Sequence, residues 1–220
     1  MCGIAGLAGR RPVNEDTVHM MTDLLVHRGP DDYGYWSSSN GNICLGHRRL
    51  SIIDRSSAGH QPMVKNSTVI TYNGELYNYL ELRARLLAEG ARFISDSDTE
   101  VVLEAYKKWG EKCLDEFNGM FAFVLYDEDR DLLFCARDRF GEKPLLYSLQ
   151  TEAFAFASEY KSLLNLEGVG QKIDPVKLFT FLDNPSVGLD DAGETVFPAI
   201  QQLLPAHSLT LNLRDFSVTT

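Results

Sequence analysis

The sequence predicts an α+β fold of antiparallel sheets with helices packed on their outer faces. Short apolar runs of strand character open the chain and return in its second half as a meander. Helical patterns fall between them, and nothing repeats the strand–helix–strand order that a parallel sheet requires. At 220 residues and 44% hydrophobic, the chain can bury a substantial core as one domain.

Residues 4–8 read as a short buried strand. A helical pattern begins at Asn14, its N-cap, and runs through Met20, Met21, Leu24 and Leu25. Residues 43–45 and 68–72 are further β-type runs. Residues 78–87 carry helical spacing, with Asn78 as cap, Glu81 three residues on and Gly90 just past the end. Ser97-Asp98-Thr99-Glu100 has the capping-box spacing and leads into an apolar face of Val101, Val102, Leu103, Ala105 and Tyr106. Residues 120–126 and 132–136 flank a turn-like acidic stretch and form a hairpin of core strands. Residues 145–149 and 153–157 form a second hairpin. Asp174-Pro175 opens a last helix, a cap followed by proline at the first helical position. Residues 197–220 alternate as a strand pair does, and there is no internal repeat or low-complexity segment.

Composition excludes several functions. A net charge of −10, with basic residues only in scattered pairs such as Arg48-Arg49 and Lys107-Lys108, argues against a nucleic-acid surface. No stretch is apolar for long enough to span a membrane, and the start lacks a secretory pattern, which points to the cytoplasm. The cysteines are Cys2, Cys44, Cys113 and Cys135, with no C-x-x-C pair and no histidine at ligand spacing, so no metal site is expected. Cys44, Cys113 and Cys135 lie in apolar runs and read as reduced core residues. Asn66-Ser67-Thr68 matches a glycosylation acceptor, an empty match in a cytosolic chain.

Cys2 alone carries a chemical argument. Aminopeptidases remove an initiator methionine when a small residue follows it. Loss of Met1 would leave a thiol and a free α-amine on one residue, and that amine, with an ordinary pKa of about 7.7–8.0, can take the thiol proton. Polar clusters recur downstream: His27-Arg28-Gly29-Pro30-Asp31, Arg49-Leu50-Ser51-Ile52-Ile53-Asp54, Gly59-His60-Gln61-Pro62-Met63, Tyr72-Asn73-Gly74-Glu75 and Ser97-Asp98-Thr99-Glu100. Singly, each has an ordinary explanation: Asn-Gly is a turn dipeptide, Asp98 suits a helix N-terminus, and Arg49 suits a surface. Together with a terminal cysteine they make a set able to hydrolyse the side-chain amide of an amino acid. Arg49 can grip an α-carboxylate. Asp98 and Glu75 can take an α-ammonium, and the Asn73 amide with the Gly74 N–H can hold an oxyanion.

In these motifs the chain resembles the class II glutamine amidotransferase domain, a branch of the N-terminal nucleophile hydrolases, as found at the front of glutamine-dependent asparagine synthetases. The matches begin at Met1-Cys2-Gly3-Ile4 and continue in order through the clusters above. Further along come Asn118-Gly119-Met120-Phe121, Arg137-Asp138-Arg139-Phe140-Gly141, Lys143-Pro144-Leu145 and Phe156-Ala157-Ser158-Glu159. Arg48-Arg49-Leu50-Ser51 and Tyr72 before the Asn-Gly pair favour the asparagine-synthetase branch. The resemblance implies a four-layer αββα sandwich of two antiparallel sheets flanked by helices, with residues 1–220 forming one amidotransferase domain. It implies Cys2 as nucleophile, Asn73 and Gly74 as oxyanion hole, and Arg49, Glu75 and Asp98 as the clamp on glutamine, assisted by the backbone of Leu50, Ser51, Ile52 and Ile53. Arg28 would support the surrounding loops. Pro205-Ala206-His207 departs from the more usual Pro-Pro-Gly-His, and Glu142 stands where an aliphatic residue is common; both bear on loop shape.

No Ser-Gly-Gly-x-Asp loop and no Walker-type loop occurs, so this chain is expected to need no cofactor. ATP and magnesium are expected only in a synthetase domain absent from it. The expected partners are L-glutamine and that synthetase domain, in cis or in trans, with a homo-oligomer also open. Two other readings compete: a catalytically silent module of the same fold docking on a synthetase, and a related amidase with another acyl substrate. A zwitterion clamp of Arg49 and Asp98 argues against the second.

Overall fold

The computed structural model describes residues 1–183 and 193–220. One sheet holds β1 (Gly3–Gly9), β2 (Asp32–Ser37), β3 (Ile43–Arg49), β8 (Leu146–Leu149), β9 (Ala153–Ala157) and β10 (Gln201–Gln202), in the order β10-β8-β9-β1-β3-β2. The other holds β4 (Met63–Lys65), β5 (Thr68–Leu76), β6 (Gly119–Asp127), β7 (Leu132–Arg137), β11 (Ser208–Asn212) and β12 (Val218–Thr219), in the order β12-β11-β7-β6-β5-β4. Every strand pairing is antiparallel.

Alternation along the strands builds the layers. On β6, Phe121, Phe123 and Leu125 turn outward onto α2 (Tyr79–Ala88) and α3 (Asp98–Trp109). Ala122, Val124 and Tyr126 turn inward to meet Ile4, Ala8, Ile43 and Leu45 of the first sheet. The outer face of that sheet, through Ala5, Leu7 and Cys44, packs on Val18 and Met21 of α1 (Glu15–Asp23) and Leu163 of α5 (Tyr160–Leu163). The result is the α+β sandwich of four layers that the sequence leads one to expect.

Both hairpins and the helices opening at Glu15, Asp98 and Pro175 fall where the periodicities place them, the last as α6 (Pro175–Asp183). Asn14 caps α1 by accepting from the Asp16 N–H. β2 and β4 were not expected: β2 is only half-buried and begins at an aspartate, and β4 is three residues long. The tail forms the expected pair β11–β12, while β10 crosses to the first sheet. Two caps are corrected. Asn78 makes no side-chain cap; its amide donates to the Glu116 carbonyl (2.9 Å) and accepts from the Asn118 N–H (3.0 Å), tying α2 to α4 (Cys113–Glu116). At α3, Ser97 caps the Thr99 N–H, but Glu100 does not return the bond. Its carboxylate accepts from the Ile94 and Ser95 N–H groups and pairs with Lys65 at 2.6 Å.

The turn at Pro205-Ala206-His207 adopts the left-handed conformation its altered sequence suits poorly, with Ala206 at φ 59°. The Ala206 N–H donates to the Asp138 carbonyl at 2.8 Å, so the turn is held despite the side chain. Replacing Ala206 with glycine should remove a left-handed penalty of about 1 kcal/mol and raise stability. Urea unfolding of Ala206→Gly checks this, and a lower midpoint than wild type would refute it.

Candidate active site

A cavity of about 70 Å³ lies where the start of β1, the end of β3 and the end of β5 converge. Cys2, Arg49, Leu50, Ile52, Ile53, Asn73, Gly74, Glu75 and Asp98 all line it. Ser51 does not: its N–H donates to Asp31 at 2.8 Å.

Cys2 precedes a strand at the centre of its sheet and is held from several sides. Arg28 Nε donates to the Cys2 carbonyl at 2.8 Å, the support expected of that arginine made directly. Ile4 and Ser158 exchange two bonds, Ile4 N–H to Ser158 Oγ at 3.0 Å and Ser158 N–H to the Ile4 carbonyl at 2.9 Å. The Leu50 N–H donates to Cys2 Sγ at 3.4 Å. Burial pushes the Cys2 thiol pKa up, while the Leu50 N–H, the terminal ammonium and Arg49 pull it down and burial prevails.

Asn73 and Gly74 sit inside β5, opposite Ala122 and Phe121 of β6, so this Asn-Gly is not a turn. A Cβ at Gly74 would lie 2.5 Å from the Met120 carbonyl oxygen and 2.7 Å from Phe121 Cα, which leaves room for glycine only. Asn73 is 1% exposed, and its Nδ2 has no hydrogen-bond partner. A buried orphan amide donor costs on the order of 1–3 kcal/mol, so it marks a place built for something else.

Arg49 is buried, with Nη1 donating to the Ser56 carbonyl at 3.2 Å and Nη2 to the Asp54 carbonyl. Asp54 is itself a loop organiser. Burial would raise its pKa, but bonds from Ser56 and the Asp96 N–H hold it below the usual range. Asp98, at the first turn of α3, accepts from the Tyr72 hydroxyl and the Leu76 N–H, both at 3.0 Å. Burial raises the Asp98 pKa, and nearby Glu75 adds to the rise.

Gln61, Tyr72, Thr99, Met120 and Lys143 also line the cavity, and none was assigned a role from sequence. Gln61 accepts from the Tyr72 N–H at 2.7 Å and donates to Thr99 Oγ1 at 3.2 Å, bracing the wall. Beneath it, His47 is fully buried, its Nε2–H donating to the Tyr72 carbonyl at 3.0 Å. Burial holds its pKa down at about 3, so the ring stays neutral. Among the described residues no cluster of His, Cys, Asp and Glu could hold a metal ion, and no helix is long and apolar enough to cross a membrane.

A family model, glutamine amidotransferase domain, matches residues 1–220. The chain is 41% identical to a protein named asparagine synthetase [glutamine-hydrolyzing] 3 from Bacillus subtilis, over 96% of this chain and 35% of that one. It is 37% identical to amidase chry2 from Gibberella zeae, over 95% of this chain and 32% of that one. A solved glutamine phosphoribosylpyrophosphate amidotransferase from Bacillus subtilis shares the fold, with a TM-score of 0.71 at 20% identity, covering 99% of this chain and 49% of that one. The chain belongs to the glutamine amidotransferase domain family, and it spans about a third of the length of the curated relatives it matches.

Behind Cys2, Glu159 binds Arg28 and His27, each at 2.9 Å, and Lys161 at 3.2 Å. Burial alone would raise the Glu159 pKa, but these partners bring it down to about 2. A folded pKa below the unfolded one gives stability that is present above about pH 4.5 and lost as pH falls toward 2. The wild type should therefore exceed Glu159→Gln by about 1 kcal/mol at pH 6, since solvent screens its half-exposed partners His27 and Lys161, with the gap closing by pH 2. Urea unfolding of both proteins across this range is the check; a gap independent of pH would refute the assignment.

Proposed function

We propose that this member of the glutamine amidotransferase domain family hydrolyses the side-chain amide of L-glutamine, with Cys2, freed of Met1, as nucleophile. The observation that carries the reading is the buried, unpartnered Asn73 Nδ2 in the same cavity as Cys2 Sγ. The thiol proton passes to the Cys2 α-amine as sulfur attacks the amide carbon. The tetrahedral oxyanion is taken by Asn73 Nδ2 and the Gly74 N–H. The amine then returns the proton to the departing nitrogen, the C–N bond breaks, and ammonia leaves a glutamyl thioester. Water, deprotonated by the same amine, cleaves the thioester to glutamate and restores the thiol.

Arg49 grips the α-carboxylate, and Glu75 and Asp98 hold the α-ammonium, with Leu50, Ile52 and Ile53 along the cavity wall. The bonds from Arg49 to the Asp54 and Ser56 carbonyls support this role, because they fix the guanidinium before substrate arrives. Residues 1–220 act as one domain that needs no cofactor. Its ammonia serves an ATP- and magnesium-dependent synthetase domain, in cis or in trans, as the names of its relatives suggest; aspartate is the default acceptor. A silent docking module would have no use for an orphaned amide in a pocket beside Cys2, so the enzyme reading is preferred.

Chain retaining Met1 should be inactive, because the Cys2 amine is then an amide and the methionine lies in the cavity. Intact mass paired with glutaminase rates tests this, and equal rates for processed and unprocessed chain would overturn it. Asn73→Ala should lower kcat by about a hundredfold to a thousandfold, the scale for losing one oxyanion donor. Asn73→Asp should fare no better, since it sets a negative charge against the oxyanion. Steady-state kinetics decide, and an active Asp variant would make Asn73 merely structural.

A further inference from the structure

Lys143 is a buried cation in the cavity to which this mechanism gives no work. It is 5% exposed, and its Nζ contacts Met1 Sδ at 3.3 Å. Among the described residues its ammonium meets no carboxylate and no carbonyl oxygen. A buried cation with a thioether as its one contact is poorly solvated, and removal of Met1 takes even that contact away.

Its position is nevertheless built with care. The Lys143 N–H donates to Asp138 Oδ2 at 3.0 Å, and its carbonyl accepts from Arg137 Nε at 2.7 Å. Asp138, 1% exposed, also takes the N–H groups of Phe121, Phe140 and Glu142. Arg137 further binds the Leu203 and Gly141 carbonyls, each at 2.7 Å. A lysine at a loop tip would be a mobile surface charge; this one is locked by an interior network and directed at the N-terminus.

The charged groups around Cys2 come from every element that meets there. Arg28, after α1, binds its carbonyl; Arg49 comes from the end of β3, Glu75 from β5, Asp98 from α3, and Asp54 from the loop after β3. Of those lining the cavity, Asp54, Glu75 and Asp98 favour a protonated amine, whereas Arg49 and Lys143 oppose it.

We propose that Lys143 is a positioning residue for the reaction, whose positive charge keeps the α-amine of processed Cys2 unprotonated and so ready to act as base. This rests on the glutaminase reading above for its catalytic consequence but not for its physical content. An ammonium lining the same cavity as a second amine makes the latter's protonation harder, and the three cavity carboxylates make such a counterweight necessary.

The test compares processed wild type, Lys143→Met and Lys143→Arg, with processing verified by intact mass. Methionine keeps the volume and removes a buried charge, so the fold should survive, and Lys143→Arg, which keeps the charge, guards against the case in which it does not. In Lys143→Met the acid limb of kcat/KM for glutamine should move up by about one pH unit, the scale for one charge acting through partly solvated protein. Lys143→Arg should restore the wild-type limb. Independently of turnover, the Cys2 amine can be titrated by NMR in protein labelled with ¹³C-cysteine, since the other three cysteines are buried and carry no free amine. The same upward shift is expected there. An unmoved amine titration in Lys143→Met overturns the inference even if the protein proves to be no glutaminase. A raised KM with an unmoved limb also overturns it, and would make Lys143 a substrate ligand instead.

Discussion

Cys2 lies next to the start of the chain, so almost everything about its position must come from non-covalent bonds. Here the bond from Arg28 Nε to the Cys2 carbonyl holds the residue in place. Arg28 is in turn held by Glu159, and Ile4, two residues on from Cys2, by Ser158. The helix–loop carrying Arg28 and the strand end carrying Ser158 and Glu159 are far apart in sequence, so Cys2 is fixed only once the first sheet has formed. That couples the placement of one residue near the terminus to the folding of much of the molecule.

The second sheet supplies what the first lacks. β5 brings Asn73, Gly74 and Glu75 to the cavity, and the close approach of β6 is why glycine stands at 74. His47 joins the two sheets through the Tyr72 carbonyl, a neutral donor where a charged one would be costly. Tyr72 is bound at its N–H, its carbonyl and its hydroxyl, by Gln61, His47 and Asp98 respectively. The wall beside the cavity is therefore braced at three points before any ligand enters.

Much of this was readable from the residues. The hairpin of β6 and β7 announces itself because aromatic and branched side chains alternate along it, and α1 because a capping asparagine precedes an apolar face. Cys2, Arg49, Asn73, Gly74, Glu75 and Asp98 stand out together in the sequence as types able to handle an amino-acid amide, and the fold brings them to one cavity. Other features depend on distant partners and leave no local mark. Asn78 and Glu100 sit at good capping positions, yet tertiary bonds to Glu116 and Asn118, and to Ser95 and Lys65, outcompete the local ones. Lys143 in a loop reads as a solvated charge; its burial follows from Arg137 and Asp138, whose side chains turn inward to organise that loop. Sequence shows which groups are available, but the competition for them is settled by packing.

The central position of β1, between β9 and β3, also decides how this molecule can be joined to anything else. Met1 lines the same cavity as Cys2, so a polypeptide attached ahead of Cys2 would pass beside Arg49, Asn73 and Lys143. β12, by contrast, is an edge strand of the other sheet, and Thr220 just beyond it lies exposed. A handle or tether attached after Thr220 therefore avoids the cavity residues, which one attached ahead of Cys2 would not.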